Sequence, residues 1–161
     1  MKFIILGSGS SMGVPRPDGF FGNCDPKNPK NLRSRCSALI KNKDINVLID
    51  TSPDLRTQML KNKIKSLDTV MYTHHHADQT HGINDLRVFF LKRKKEIPVY
   101  TDKNTKKYLL DSFSYCFKGS KEYPSLLKLF DIKKKFKLGR SINVESVKVK
   151  HGSINSLSYI I

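Results

Sequence analysis

The chain has 161 residues and a formal net charge of +16, with 30 Lys and Arg against 14 Asp and Glu. That length supports one domain, residues 1–161, with a real core. No apolar run is long enough to span a bilayer, and Gly7-Ser8-Gly9 ends the N-terminal apolar stretch too early for a signal peptide. A cytoplasmic protein is therefore expected, with no membrane partner.

Lys2 to Leu6 reads as a short buried strand. Gly7 to Arg35 is a long loop rich in Gly, Pro, Asn and Ser, and loops of that length in compact domains are usually functional or disordered. Its first part, Gly7 to Gly13, sets Ser8, Ser10 and Ser11 among glycines. Backbone N–H groups there are suited to cradle phosphate, although the Gly-Lys-Ser/Thr ending of a P-loop is missing. Ser37 to Lys41 and Asn46 to Asp50 predict a hairpin. Ser52 is placed to cap a helix that begins at Pro53, with Asp54 beside its positive end.

Thr69 to Tyr72 reads as a strand and Ile83 to Arg93 as a helix, with Leu86, Phe89 and Phe90 at helical spacing. Pro98 to Thr101 follows as a strand, and Asn104 to Tyr115 as a helix. Phe117 to Leu129 is irregular. Phe130 to Ile132, Ile142 to Lys150 and Leu157 to Ile161 read as strands. Strands alternating with helices, plus hairpins, predict a layered α/β sandwich.

Three cysteines, Cys24, Cys36 and Cys116, form no CxxC pair and exclude a disulfide framework. Each is expected to be a buried or half-buried thiol. The charge invites a nucleic-acid partner. The cations are mostly Lys, however, dispersed among many Ile and Asn as in an AT-rich coding bias. The densest runs, Lys92 to Lys95 and Lys133 to Lys135, lack interleaved aromatics for base stacking. Nucleic acid is thus admitted but not favoured.

Four of the five histidines fall in Thr73-His74-His75-His76-Ala77-Asp78-Gln79-Thr80-His81-Gly82. His74-x-His76-x-Asp78 places two imidazoles and a carboxylate at alternate positions. Those donors suit zinc, iron or manganese better than calcium. The pattern resembles the H-x-H-x-D-H signature of the metallo-β-lactamase superfamily, with Gln79 standing where the last His is usual. Leu6 to Pro15 and Val47 to Arg56 are similar to blocks of one branch, the phosphoribosyl 1,2-cyclic phosphate phosphodiesterases.

The resemblance implies an αββα sandwich with metal at the edge between two sheets. It implies a metal-dependent hydrolase that uses metal-bound hydroxide. The expected substrate is a small phosphorylated compound, most directly a cyclic phosphate sugar or nucleotide. A tRNA 3′-processing type of nuclease and a catalytically inert metal-binding fragment are the alternatives. The implied cofactor is zinc, with manganese the alternative, as one or two ions. His74 and His76, with His151 after a strand, would hold one ion. Asp78, the expected catalytic carboxylate, would serve a second. His81 would replace the missing imidazole, serve the substrate or cap the helix. Asp50 would orient a ligand by hydrogen bond or merely open the following helix. His75 is expected to be exposed, and Arg87 either to pair a phosphate or, as the favoured structural reading, to pair Asp54 or Asp85. The superfamily's bridging Asp and final His do not occur in these residues, so the chain is expected to be an N-terminal portion of that fold.

Overall fold

A computed structural model describes residues 1–161. Six strands form one sheet in spatial order β1 (Lys2–Gly7), β2 (Ser37–Lys41), β3 (Asn46–Ile49), β4 (Thr69–Met71), β5 (Ile97–Thr101) and β6 (Leu127–Asp131). β1 pairs with β2 and β2 with β3 antiparallel, and β3 to β6 are parallel. Parallel pairs need crossovers. These are supplied by α1 (Leu55–Lys61), by α2 (Ala77–Thr80) with α3 (Arg87–Arg93), and by α4 (Lys103–Ser112) with α5 (Ser114–Phe117). A second sheet holds β7 (Lys135–Leu138), β8 (Ile142–His151) and β9 (Ile154–Ile160), all antiparallel.

The period-2 alternation of the central strands builds a core on each face of the large sheet. Leu39, Leu48, Val70 and Val99 face the helices and pack with Leu55, Ile83, Leu86 and Leu109. Ile40, Val47 and Met71 face the small sheet and meet Leu138, Ile142 and Val144. Burying each of these side chains contributes roughly 1.5–3 kcal/mol. The result is an α/β architecture with three of the four layers of an αββα sandwich, helices, large sheet and small sheet.

Several sequence expectations are corrected. β1 is an edge strand, not a buried one: Leu6 is buried, but Phe3 and Ile5 are 61% and 66% exposed. They face the small-sheet side, where the apolar cluster draws on β2 to β5 and takes nothing from β1. Helix α1 starts at Leu55, not Pro53. Ser52 Oγ accepts the Asp54 N–H at 3.1 Å, one turn before the helix proper, while the Asp54 carboxylate turns to Arg35. The 104–115 helix is broken at Phe113, whose φ of −132° leaves the helical region. β6 starts at Leu127 inside the stretch expected to be irregular, and β7 was not anticipated. Its alternation, Phe136 and Leu138 inward, is hidden in a Lys-rich sequence.

Candidate metal centre

The chain leaves the large sheet at Tyr72 and enters the histidine segment along a rigid path. The Thr73 N–H donates to Asp50 Oδ1 and the Thr73 hydroxyl to Asp50 Oδ2, each at 2.7 Å. Thr73 Oγ1 also lies 2.9 Å from His74 Nδ1. Because the hydroxyl proton is committed to Asp50, His74 Nδ1 must donate. That leaves the lone pair on His74 Nε2. Asp50 holds the turn from a left-handed backbone, φ 60°, unusual for a residue with a Cβ.

His74 Nε2 lies 3.1 Å from His76 Nδ1. His76 sits just before α2, with its carbonyl accepting the Thr80 hydroxyl at 2.9 Å. His151 ends β8, and its ring centroid is 4.7 Å from that of His74 and 5.2 Å from that of His76. The small sheet carries it there by docking on the histidine segment. The Leu157 N–H donates to Thr73 O at 2.9 Å and the Tyr159 hydroxyl to Tyr72 O at 2.6 Å. One ligand atom from each of His74, His76 and His151 lies within 4.8 Å of the other two.

Tetrahedral zinc at its usual N distance sets two ligand nitrogens about 3.3 Å apart. The 3.1 Å separation of the His74 and His76 nitrogens fits such an ion. Burial, helped by His76 and His151, pushes the His74 pKa down to about 4. Its imidazole is neutral, as a metal ligand must be. His76 and His151 are exposed, so the cluster is open on one side. Burial also lifts the Asp50 carboxyl to about 7, against the two Thr73 hydrogen bonds that lower it.

Asp78 lies outside the three-imidazole cluster. Its Oδ2 accepts the Gln79 side-chain amide at 2.8 Å, and Gln79 is buried. His81 is turned away: its Nε2 lies 3.0 Å from the Tyr108 hydroxyl, and its ring meets Phe113 edge-on. His75 is half-buried rather than exposed, with its ring 5.5 Å from Tyr108. Arg87 makes no ion pair. Asp54 is taken by Arg35, and Asp85 Oδ2 accepts the Arg56 N–H at 3.1 Å. Cys116 is buried, but Cys24 and Cys36 are exposed, contrary to the sequence expectation. Cys36 precedes β2 on the exposed loop, and its thiol donates to Gly9 O.

The sequence reading missed the residues that fasten the segment from below. Thr51 donates its N–H to Gln79 O at 2.7 Å, and its hydroxyl lies 2.7 Å from Tyr72 Oη and 3.0 Å from Thr80 O. Gly82 closes the lock, because a Cβ there would meet Ser52 O at 2.0 Å. A Thr directly before the first His and another directly after Asp50 were the available signals.

Residues 45–161 match the sequence family described as the beta-lactamase superfamily domain, and the chain belongs to that family. It is similar to an octanoyltransferase of Porphyromonas gingivalis, 36% identical over 163 residues, covering 99% of this chain but 32% of that protein. Among solved structures it is similar to a diphosphatase of the PhnP family, at 30% identity and TM-score 0.84, covering 98% of this chain and 60% of the other. Human tRNase Z, short form, shares the fold at TM-score 0.66 and 15% identity, over 99% of this chain and 64% of that one. The chain thus spans about a third of that curated relative and about three-fifths of these structures.

Proposed function

We propose that this chain carries the metal centre of a metal-dependent hydrolase that cleaves a phosphodiester in a small cyclic phosphate sugar or nucleotide. The observation that carries this reading is the convergence of His74, His76 and His151. The 30% identity to a structure described as a diphosphatase supports phosphate chemistry. His74 and His151 would bind zinc together with His76, manganese being the alternative. Bound in such a site, zinc lowers the pKa of water from 15.7 to about 7. The chain's own residues do the rest. Thr73 and Asp50 fix the tautomer and angle of His74. Gln79 holds one oxygen of Asp78, whose other oxygen is free to accept a proton or a hydrogen bond from the substrate. His81, held by Tyr108 outside the cluster, is assigned no ligand role.

The test is metal analysis of the purified chain and of His74→Ala/His76→Ala, with hydrolysis of bis-p-nitrophenyl phosphate followed in parallel. One zinc per chain, lost in the double variant together with any turnover, is expected. Turnover of these 161 residues is expected well below the enzyme-typical floor of about 1 s⁻¹, because Asp78 is the one nearby carboxylate free for a second ion. Equal metal content in the two proteins would sink the reading. The charge of +16 favours a second reading, a nuclease acting on RNA 3′ ends. Tight binding of tRNA at physiological salt would bring it forward.

A further inference from the structure

Beside β1, the long 7–35 loop and α1 enclose an open groove of about 1100 Å³. Gly7 lines it, and Gly7 and Gly9 together let the two ends of the loop close on each other. A Cβ on Gly7 would meet Arg35 O at 2.1 Å, and one on Gly9 would meet Arg33 O at 2.7 Å, so only glycine lets the two ends of the loop lie this close. That contact aligns Arg33, whose Nη1 donates to Ser8 Oγ at 3.1 Å.

Four cations line the groove, and its one carboxylate, Asp54, is spent on Arg35. Lys30, Arg33 and Lys61 are exposed and make no ion pair. The same lining holds large apolar side chains without cover, Met12 at 52% and Leu32 at 59% exposed. Free cations and bare apolar surface in one groove match a ligand that has both phosphate and a flat apolar body. Arg35 lines the groove, and two residues further on the Ser37 hydroxyl donates to Asp50 O at 3.0 Å, beside the histidine segment.

We propose that the groove is a nucleotide subsite, with phosphate held by Arg33 and Lys61 and the base laid against Met12 and Leu32. The inference rests on the phosphodiester reading and chooses within it, a nucleotide over a bare sugar phosphate. The sequence alone offered the Gly7–Gly13 segment as a phosphate cradle; here its role is to shape the wall that presents Arg33.

Calorimetric titration of the full chain with AMP and with ribose 5-phosphate, with zinc and with EDTA, tests this. AMP should bind at least about tenfold more tightly than ribose 5-phosphate in both conditions. Arg33→Gln/Lys61→Gln should weaken AMP by about tenfold, the scale of one lost charge-assisted hydrogen bond. Met12→Ala/Leu32→Ala should erase the preference for AMP while leaving ribose 5-phosphate unchanged. These residues are exposed, so the variants should fold, and unchanged zinc content reports that they do. Equal affinity for the two probes, or variants that bind AMP like the parent, would overturn the subsite. AMP preference in a chain that holds no zinc would sink the hydrolase reading and leave the groove standing. Zinc binding without AMP preference would do the reverse.

Discussion

The Gln79 side-chain amide donates to Asp78 Oδ2 at 2.8 Å from a buried position, at the place where the superfamily signature has a histidine. An amide nitrogen is a donor, not a ligand. In this chain the residue after Asp78 therefore steers a carboxylate instead of gripping a metal. The remaining imidazole on that side, His81, is occupied by Tyr108. Gln79→His is expected to leave zinc at one ion per chain, since Asp78 and a single new imidazole are too few donors for a closed site. Metal analysis after dialysis checks this, and two tightly held ions per chain would contradict it.

Thr73 links Asp50 to His74 through one hydroxyl. Thr73→Val keeps the shape and removes the link. It should weaken zinc about 10–100-fold, the usual effect of losing a partner that orients a ligand. It should also destabilise the fold by about 1–3 kcal/mol, because the buried Asp50 loses a donor. Chelator competition and urea unfolding measure the two effects. A variant with parental zinc affinity would show that the link is structural alone.

Much of this candidate centre was legible in the sequence for a simple reason. His74, His76 and Asp78 are close in the chain, and ligand spacing is a local signal. His151 lies 75 residues from His76 in the numbering, and only the resemblance offered it; no local pattern distinguishes a ligand from a surface His after a strand. Gln79 stands out in the sequence as a departure from the signature, but its bond to Asp78 depends on a buried rotamer that spacing does not encode. The turn of His81 toward Tyr108 was likewise invisible, because α4 supplies the partner from another crossover. In the fold, β8 was read nearly to its ends from its alternation. β7 was lost because lysines occupy its outward positions and mask the apolar pair facing in.

The Tyr159 hydroxyl donates to Tyr72 O across the two sheets at 2.6 Å. Tyr159→Phe removes this bond with little loss of apolar packing. It should cost about 0.5–1.5 kcal/mol of stability and loosen the approach of β9 to the histidine segment. Faster hydrogen exchange at the Leu157 N–H, which donates to Thr73 O, is the direct readout. Unchanged protection there would mean that the sheets are held by their apolar contact alone.

Asp54 accepts the Arg35 N–H at 2.8 Å and its guanidinium at 2.9 and 2.6 Å, and these contacts hold the Asp54 carboxyl below its ordinary pKa. A carboxyl depressed in the folded state stabilises the fold above its unfolded pKa, about 3.9. That contribution fades as pH falls through the lower folded value. Asp54→Asn should therefore cost about 1–2 kcal/mol at pH 7. The gap to the parent should begin to close below about pH 4, where the unfolded carboxyl takes up its proton. Denaturant unfolding of both proteins from pH 7 down to pH 3 measures the gap. Raised salt should shrink it only modestly, because the pair is more than two-thirds buried. A gap that stays constant down to pH 3 would assign the loss to the α1 start rather than to the charge on Asp54.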